Sequence, residues 1–484
     1  MHFRPGSVLG LMFAAALSLP AQTASNPIQI TVDLTEAPRK IIHAHMTIPV
    51  SAGPLTLLYP KWIPGEHMPD GPIDDLAGLF ITANGQQLSW VRDDVNMYAI
   101  NLTVPQGVAE LDVKDDFLAT AGATGFSAGA STSANLAMLS WNELILYPAG
   151  HKDDADIFVE PSVILPQGWQ YGTALMKAGE TGDNIHENAI HFNAVSLEQL
   201  IDSPLLTGRY FVEIPLAAEV TPKHFLDIAA DGPEDLKLTP ETIAGYSNLV
   251  REAGALYQSR HYESYHFLVT ASDQVAHFGL EHHQSSDDRV AEKTFIDDNL
   301  LLLSSDLLPH EFTHSWNGKY RRPAGLATGN YEDPMKGNLL WVYEGLTQYL
   351  GDVLGARSKL ETAAQYRDFL AEDAAMLDYR PGRTWRDLQD TATAAQILYA
   401  YSEGYPWDNW RRNTDYYAEG ELVWLDVDTT IRKLTNDKKS LNDFLAAFEG
   451  LGGNTPPKVV PYTFEDVVKG LNDVVAYDLS LIHI

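Results

Sequence analysis

Apolar residues recur at every second position over the first third of the chain. Ile28, Ile30, Val32 and Leu34 form one such run and Tyr98, Ile100, Leu102 and Val104 another, with polar residues between most of them. A period of two is the mark of half-buried strands, since alternate side chains face opposite sides of a sheet. Asn84-Gly85 between apolar runs predicts a hairpin turn, and Pro60, Pro64-Gly65 and Gly71-Pro72 predict loops. Residues 119–134, rich in Gly, Ala and Ser, predict a long loop within this β region. Further short strands are expected at 144–147, 157–159 and 210–214, so the chain reads as mainly β to about Pro215.

The period then changes. After Asp231-Gly232-Pro233, Thr239-Pro240 predicts the capped start of a helix whose apolar side is Ile243, Tyr246, Leu249, Val250, Ala253 and Leu256. Strand-like segments at 265–270 and 278–282 follow, and helical patterning dominates thereafter. The expected organisation is a multidomain α+β chain, with a β domain at 25–220 and a mainly helical domain at 221–478.

Residues 1–24 carry His2 and Arg4, then an apolar run from Val8 to Leu19 and a small-residue exit at Ala21 and Ala24. That is the form of a secretory signal peptide, so an exported protein, periplasmic or secreted, is expected. Residues 479–484, LSLIHI, read as a non-native tail.

Composition narrows the function. With 45% hydrophobic and 20% charged residues over 484 positions, the chain can build two or three cores. A formal net charge of -32 repels polyphosphate, which argues against a nucleic-acid partner and against docking on anionic lipid. No later apolar run is long enough for stable membrane insertion. The absence of cysteine removes disulfides, thiolate metal sites and a cysteine nucleophile together.

The chemistry concentrates at 307–317, LLPHEFTHSWN, where His310, Glu311 and His314 form HExxH. Residues four apart share a helix face, so two imidazoles can grip one zinc ion while the Glu311 carboxylate points into the same cleft as a general base. Ser304-Ser305-Asp306 supplies candidate N-caps, and Pro309 requires a helix start close before it. Catalytic zinc normally takes three protein ligands and keeps one position open. A second predicted helix, 338–352 (NLLWVYEGLTQYLGD), carries Glu344 amid apolar cover, where an unpaired carboxylate is costly. Metal ligation explains it, with a structural ion pair as the alternative and Glu332, Asp333 and Asp352 as competing acids.

HEFTHSWN followed by WVYEGLTQY resembles the glycyl aminopeptidase family of gluzincin zinc metallopeptidases, and YPKWIPGEH in the β region is similar to that family too. The resemblance implies an N-terminal β domain, a thermolysin-like catalytic domain, and usually a PDZ domain for which this chain shows no sequence. It implies one zinc ion on His310, His314 and Glu344, and peptide substrates with small first residues such as Gly or Ala. It implies that Glu281, in Gly279-Leu280-Glu281-His282, holds the substrate amine and that Tyr417 faces the reacting carbonyl, with Tyr416 as the fallback. A zinc endopeptidase and a non-catalytic, chaperone-like peptide binder are the alternatives. His277, His282 and His283 raise the question of a second metal site. Arg321 and Arg322 are candidates for a substrate carboxylate, and Tyr405, Trp407, Trp410, Tyr416 and Tyr417 for a cleft lining.

Overall fold

A computed structural model describes residues 26–120, 126, 129–179, 189–399 and 406–477. The expected leader at 1–24, seven positions of the 119–134 stretch, Tyr405 and the tail at 479–484 lie outside the described residues.

The alternation at the start of the chain becomes strand Ile28–Asp33, whose Ile28, Ile30 and Val32 are at most 1% exposed. It pairs antiparallel with Ile41–Pro49 and parallel with Phe158–Ile164, in a sheet that continues through Glu110–Leu118 and Leu76–Ala83. Asn84 and Gly85 both take positive φ (49° and 73°) in the hairpin to Gln86–Gln87, the mirror-image turn that matches strand twist. A second sheet is built on Gly53–Leu58 and Ala99–Val104, and the apolar faces of both sheets share one core. The strand expected at 144–147 reduces to Tyr147–Pro148, because 141–143 turns as a 3-10 helix instead.

A further five-stranded sheet opens the second half. Its order runs Tyr210–Leu216, Lys223–Ala230, Ser264–Ala271, Ser285–Val290 and, at the edge, Gly279–Glu281. Tyr210–Leu216, read from the sequence as part of the N-terminal β domain, therefore pairs instead with the sheet of the second half. The short 217–222 connection makes it a hairpin partner of Lys223–Ala230, from Tyr210↔Ala230 to Leu216↔His224. Helix Pro240–Tyr257 begins where Thr239 Oγ1 accepts from Thr242 N at 3.1 Å. This helix, Leu307–His314, Leu340–Ser358, Ala418–Thr435, Leu441–Phe448 and Phe464–Val474 bury their apolar sides in one core with the sheet. The architecture is a β-rich N-terminal part followed by a mainly helical part, a multidomain α+β chain. Trp62, from the N-terminal part, is buried in the second core, so the two halves interlock at the loop carrying it. Among the described residues no helix is long and apolar enough to cross a membrane.

Candidate active site

Helix Leu307–His314 follows helix Asp298–Leu303 after a three-residue break, so the chain enters it already wound. Pro309 falls third, where its missing N–H has no helical partner to lose. The expected cap is not made. Asp306 sits in helical conformation at the flank without a side-chain cap bond, and its Oδ2 accepts from Gln348 Nε2 at 3.3 Å instead.

The helix carrying Glu344 runs Leu340–Ser358, two residues later at its start than the pattern predicted because 337–339 forms a 3-10 turn. Asn317 ties it to the HExxH helix. Its Nδ2 donates to Val342 O (3.0 Å), Tyr343 O (3.1 Å) and Thr347 Oγ1 (3.0 Å), while its carbonyl lies 2.9 Å from His314 Nδ1. With Nδ1 donating there, His314 Nε2 keeps its lone pair and faces inward. Helix Ala418–Thr435 crosses the Glu344 helix at two glycines, since a Cβ on Gly345 would stand 2.6 Å from Gly420 Cα. That approach brings Glu344 and Tyr417 to one cavity.

Three ligand atoms converge. His310 Nε2 and His314 Nε2 are 3.1 Å apart, and Glu344 Oε2 is 3.4 and 3.1 Å from them. Ligands about 2.0–2.1 Å from a tetrahedral zinc ion stand roughly 3.3 Å from one another, so this set fits a divalent cation with nitrogen and oxygen ligands. All three residues are buried. Burial by itself raises the Glu344 pKa, but His314 and His67 outweigh it and hold the carboxylate well below its usual range. Burial likewise opposes charge on His314, and Glu344 and Glu281 reverse it, raising the imidazole above its ordinary value. Glu281, Glu311 and His314 form a second group with ligand atoms within 4.8 Å of one another. Glu281 is the weaker ligand there because its Oε1 already accepts from the Tyr343 hydroxyl.

A cavity of about 460 Å³ opens on this cluster, lined among others by Glu281, Glu311, Glu344, Tyr399 and Tyr417. Glu311 has one buried oxygen without a partner among the described residues, and burial, then Glu281 and Asp288, push its pKa well above the carboxylate range. Glu281 stands on the edge strand Gly279–Glu281, 3% exposed; burial works against its charge, and His314 and Lys319 win, lowering its pKa. Tyr417 stacks toward His310 with ring centroids 6.0 Å apart, and its hydroxyl is 3.3 Å from that of Tyr399. Burial and Glu344 raise its pKa well above the phenol value, so it is a donor at neutral pH. Tyr416 is buried in the helical core and lines no part of this cavity.

Other expectations part from the structure. His282 and His283 both face Asp202, with Nδ1 at 3.4 and 2.9 Å, and His277 Nε2 bonds Ser272 O at 2.8 Å, so the three do not converge on a metal. Arg321 stacks on Phe448 at 4.2 Å and Arg322 Nε donates to Gly318 O at 2.9 Å, which keeps both out of the main cavity. Trp407 and Trp410 are exposed rather than lining the cleft. Sequence reading assigned no role to His67, Asn317, Tyr343 or Tyr399. His67, Asn317 and Tyr343 carried a signal only as members of YPKWIPGEH, HEFTHSWN and WVYEGLTQY, and Tyr399 carried none.

Comparison with known proteins agrees with this geometry. No curated protein matches the chain by sequence. Among solved structures, an aminopeptidase N family protein from Idiomarina loihiensis is similar at TM-score 0.77 and 19% identity, over 94% of this chain and 74% of that one. A variant M1 zinc metallopeptidase from Deinococcus radiodurans, bound to a Tyr-Ser-Ala substrate, is similar at TM-score 0.55 and 13% identity, over 96% and 93%. At such identities the likeness is one of fold. The family described as M61 glycyl aminopeptidase matches residues 304–423, and the peptidase M61 N-terminal domain matches 29–209, together more than half of the chain. On these two matches, one in each half, the chain belongs to the M61 glycyl aminopeptidase family of peptidases.

Proposed function

We propose that this protein is an exported, zinc-dependent aminopeptidase that releases small N-terminal residues, Gly or Ala, from peptides. The observation that carries the reading is the convergence of His310 Nε2, His314 Nε2 and Glu344 Oε2 beside Glu311, with the Glu281 carboxylate within 4.8 Å of both Glu311 and His314. His310, His314 and Glu344 would hold the ion. When bound, zinc supplies Lewis acidity to the scissile carbonyl, acidity to a water, and a positive charge beside Glu311.

Glu311 takes a proton from the attacking water as the water oxygen bonds to the carbonyl carbon. As the C–N bond breaks, Glu311 returns that proton to the leaving amine. The Tyr417 hydroxyl donates to the oxygen on which negative charge gathers. Glu281 receives the substrate ammonium, and its buried charge places the first peptide bond one residue away. Edge strand Gly279–Glu281 has one side unpaired among the described strands, where an extended peptide can add as a further strand. Gly65 lies close against Glu281, since a Cβ there would stand 2.7 Å from its Oε2, and this close approach of backbone to the carboxylate supports a small first side chain. The leader-like sequence at 1–24 supports export.

The test compares glycyl and alanyl dipeptide amides with their N-acetyl forms, with metal content measured on the same protein. The free amines are expected to turn over and the acetylated forms to be rejected. Equal turnover of both dismisses the Glu281 role, and full activity in a zinc-loaded Glu311→Ala variant dismisses the proton-transfer scheme.

A further inference from the structure

The two oxygens of Glu344 have different neighbours. Oε2 faces the imidazoles of His310 and His314, whereas Oε1 is held by Nε2 of His67. His67 is 277 residues away in sequence and comes from the N-terminal β-rich part. Its loop is anchored by Lys61 and Trp62, whose N–H groups donate to Tyr331 O at 3.3 and 2.9 Å, and by Trp62 in the second core. The His67 ring is wedged edge-on against Tyr343 (centroids 5.6 Å apart, 88° between planes) and Tyr399 (5.5 Å, 75°). Its Nδ1 is buried with no partner among the described residues, so in a neutral ring the proton belongs on Nε2, against the carboxylate. Two residues earlier, Gly65 takes φ +104°, and a Cβ there would stand 2.7 Å from Glu281 Oε2. The loop thus meets two of the cavity's carboxylates, Glu344 and Glu281.

We propose that His67 is a positioning residue of the metal site. Its N–H caps Glu344 Oε1, so that Glu344 offers the ion a single oxygen and the remaining coordination position is kept for water or substrate. The proposal rests on the metal reading of His310, His314 and Glu344. It also makes the N-terminal half part of the site, since the helical half by itself supplies no equivalent donor to Oε1 among the described contacts. A purely architectural bond between halves would alter stability and leave metal binding unchanged. Partners that orient metal ligands typically change affinity by roughly 10–100 fold when lost.

The test uses the full chain, stripped of metal, as wild type, His67→Phe and His67→Gln. Phe retains the ring packing and removes the donor, and Gln restores an N–H near the position of Nε2. Zinc affinity is read by competition with a chromophoric chelator, coordination by the visible absorption of the cobalt-loaded protein, and folding by melting of the metal-free forms. H67F is expected to bind zinc roughly 10–100 fold more weakly, with a weaker cobalt band as the carboxylate turns two oxygens to the ion, and H67Q to recover most of both. H67F with wild-type zinc affinity and an unchanged cobalt spectrum overturns the proposal. A wild-type chain without tight zinc binding overturns the metal reading beneath it, which separates the two failures. Should H67F not fold, H67Q against His67→Asn, whose amide falls one bond short, carries the same comparison.

Discussion

The glycine crossing between the Glu344 helix and the Tyr417 helix can be tested with a single methyl group. In Gly345→Ala the new Cβ would stand 2.6 Å from Gly420 Cα and 2.8 Å from Tyr416 O. Carbon atoms rest roughly 3.5–4.0 Å apart, so one helix must retreat by about 1 Å. Overpacking of this kind typically costs about 1–3 kcal/mol, against about 1 kcal/mol gained when Ala replaces Gly inside a helix. The net loss of stability is therefore small, about 0–2 kcal/mol. The catalytic loss is expected to be larger, because the same retreat separates Glu344 from Tyr417, and a displacement near 1 Å costs roughly 100 fold in rate. Gly355→Ala on the same helix is the control. Its nearest neighbour would be Ser305 O at 3.5 Å, ordinary contact, so it should stabilise by up to about 1 kcal/mol and leave activity alone. Urea unfolding and kcat/KM on alanyl amides, at equal metal content, give both quantities. Wild-type kcat/KM in Gly345→Ala would refute the claim that this crossing sets the catalytic geometry.

Tyr417→Phe should lower kcat roughly 100–1,000 fold with little change in KM, because its hydroxyl is argued to act on charge that develops only during reaction; a change confined to KM contradicts that. Asp154 is lifted to about 7 by burial, opposed by the Tyr331 N–H it accepts at 2.7 Å, while an unfolded Asp titrates near its ordinary value. The folded state then binds the extra proton, so this group's contribution falls as pH rises from about 4 to 7 and is level above. Melting curves of Asp154→Asn should accordingly show wild type losing ground to the variant between about pH 4 and 7 and running parallel to it above, and parallel curves throughout would refute the assignment. Asp202→Asn removes the carboxylate that Lys319 Nζ meets at 2.9 Å and His283 Nδ1 at 2.9 Å. Stranding a buried lysine between the halves should cost about 3–5 kcal/mol in urea unfolding, and a loss under 1 kcal/mol would show the pair to be solvated.

Features set by short-range pattern were legible in the sequence. The period of two gave the first strands, Asn84-Gly85 the hairpin and Thr239 the helix cap, because each depends on residues within four positions of one another. The strand Ser285–Val290 escaped the same reasoning. Its sequence SSDDRV looks like a solvated loop, yet all six residues are buried. What admits them is internal pairing: Arg289 Nε and Nη2 fork onto Asp287 at 3.0 and 2.7 Å, Ser286 donates to Asp288 at 2.7 Å, and the Arg289 guanidinium covers Phe278 at 4.3 Å. Periodicity scores polarity residue by residue and so takes a neutralised pair for two exposed charges. The sheet membership of Tyr210–Leu216 escaped for a related reason, since its pattern says that it is a strand and is silent on which sheet it joins.

The site divides along the same line. His310, Glu311 and His314 are local, and Glu344 betrays itself as an acid amid apolar residues, so four members of the cluster could be named from two short stretches. Glu281 and Tyr417 have no such local mark and came only through family resemblance. The roles of His67, Tyr343 and Asn317 were beyond both routes, although each lies in a stretch that carries the resemblance, because what matters in them is the atom each one turns toward another segment. Tyr343 illustrates the point: in the Glu344 helix it reads as core filling, and its ring does pack against those of His314 and His67, yet its hydroxyl reaches across to Glu281. One turn of helix therefore presents at 344 the carboxylate proposed to hold the metal and at 343 a donor for Glu281, the carboxylate proposed to receive the amine. That coupling implies that the two carboxylates cannot be moved independently: a shift of this turn that loosens Glu344 also releases Glu281. Exopeptidase selectivity and metal affinity should then fall together in variants of this turn, and apart only in variants of the edge strand.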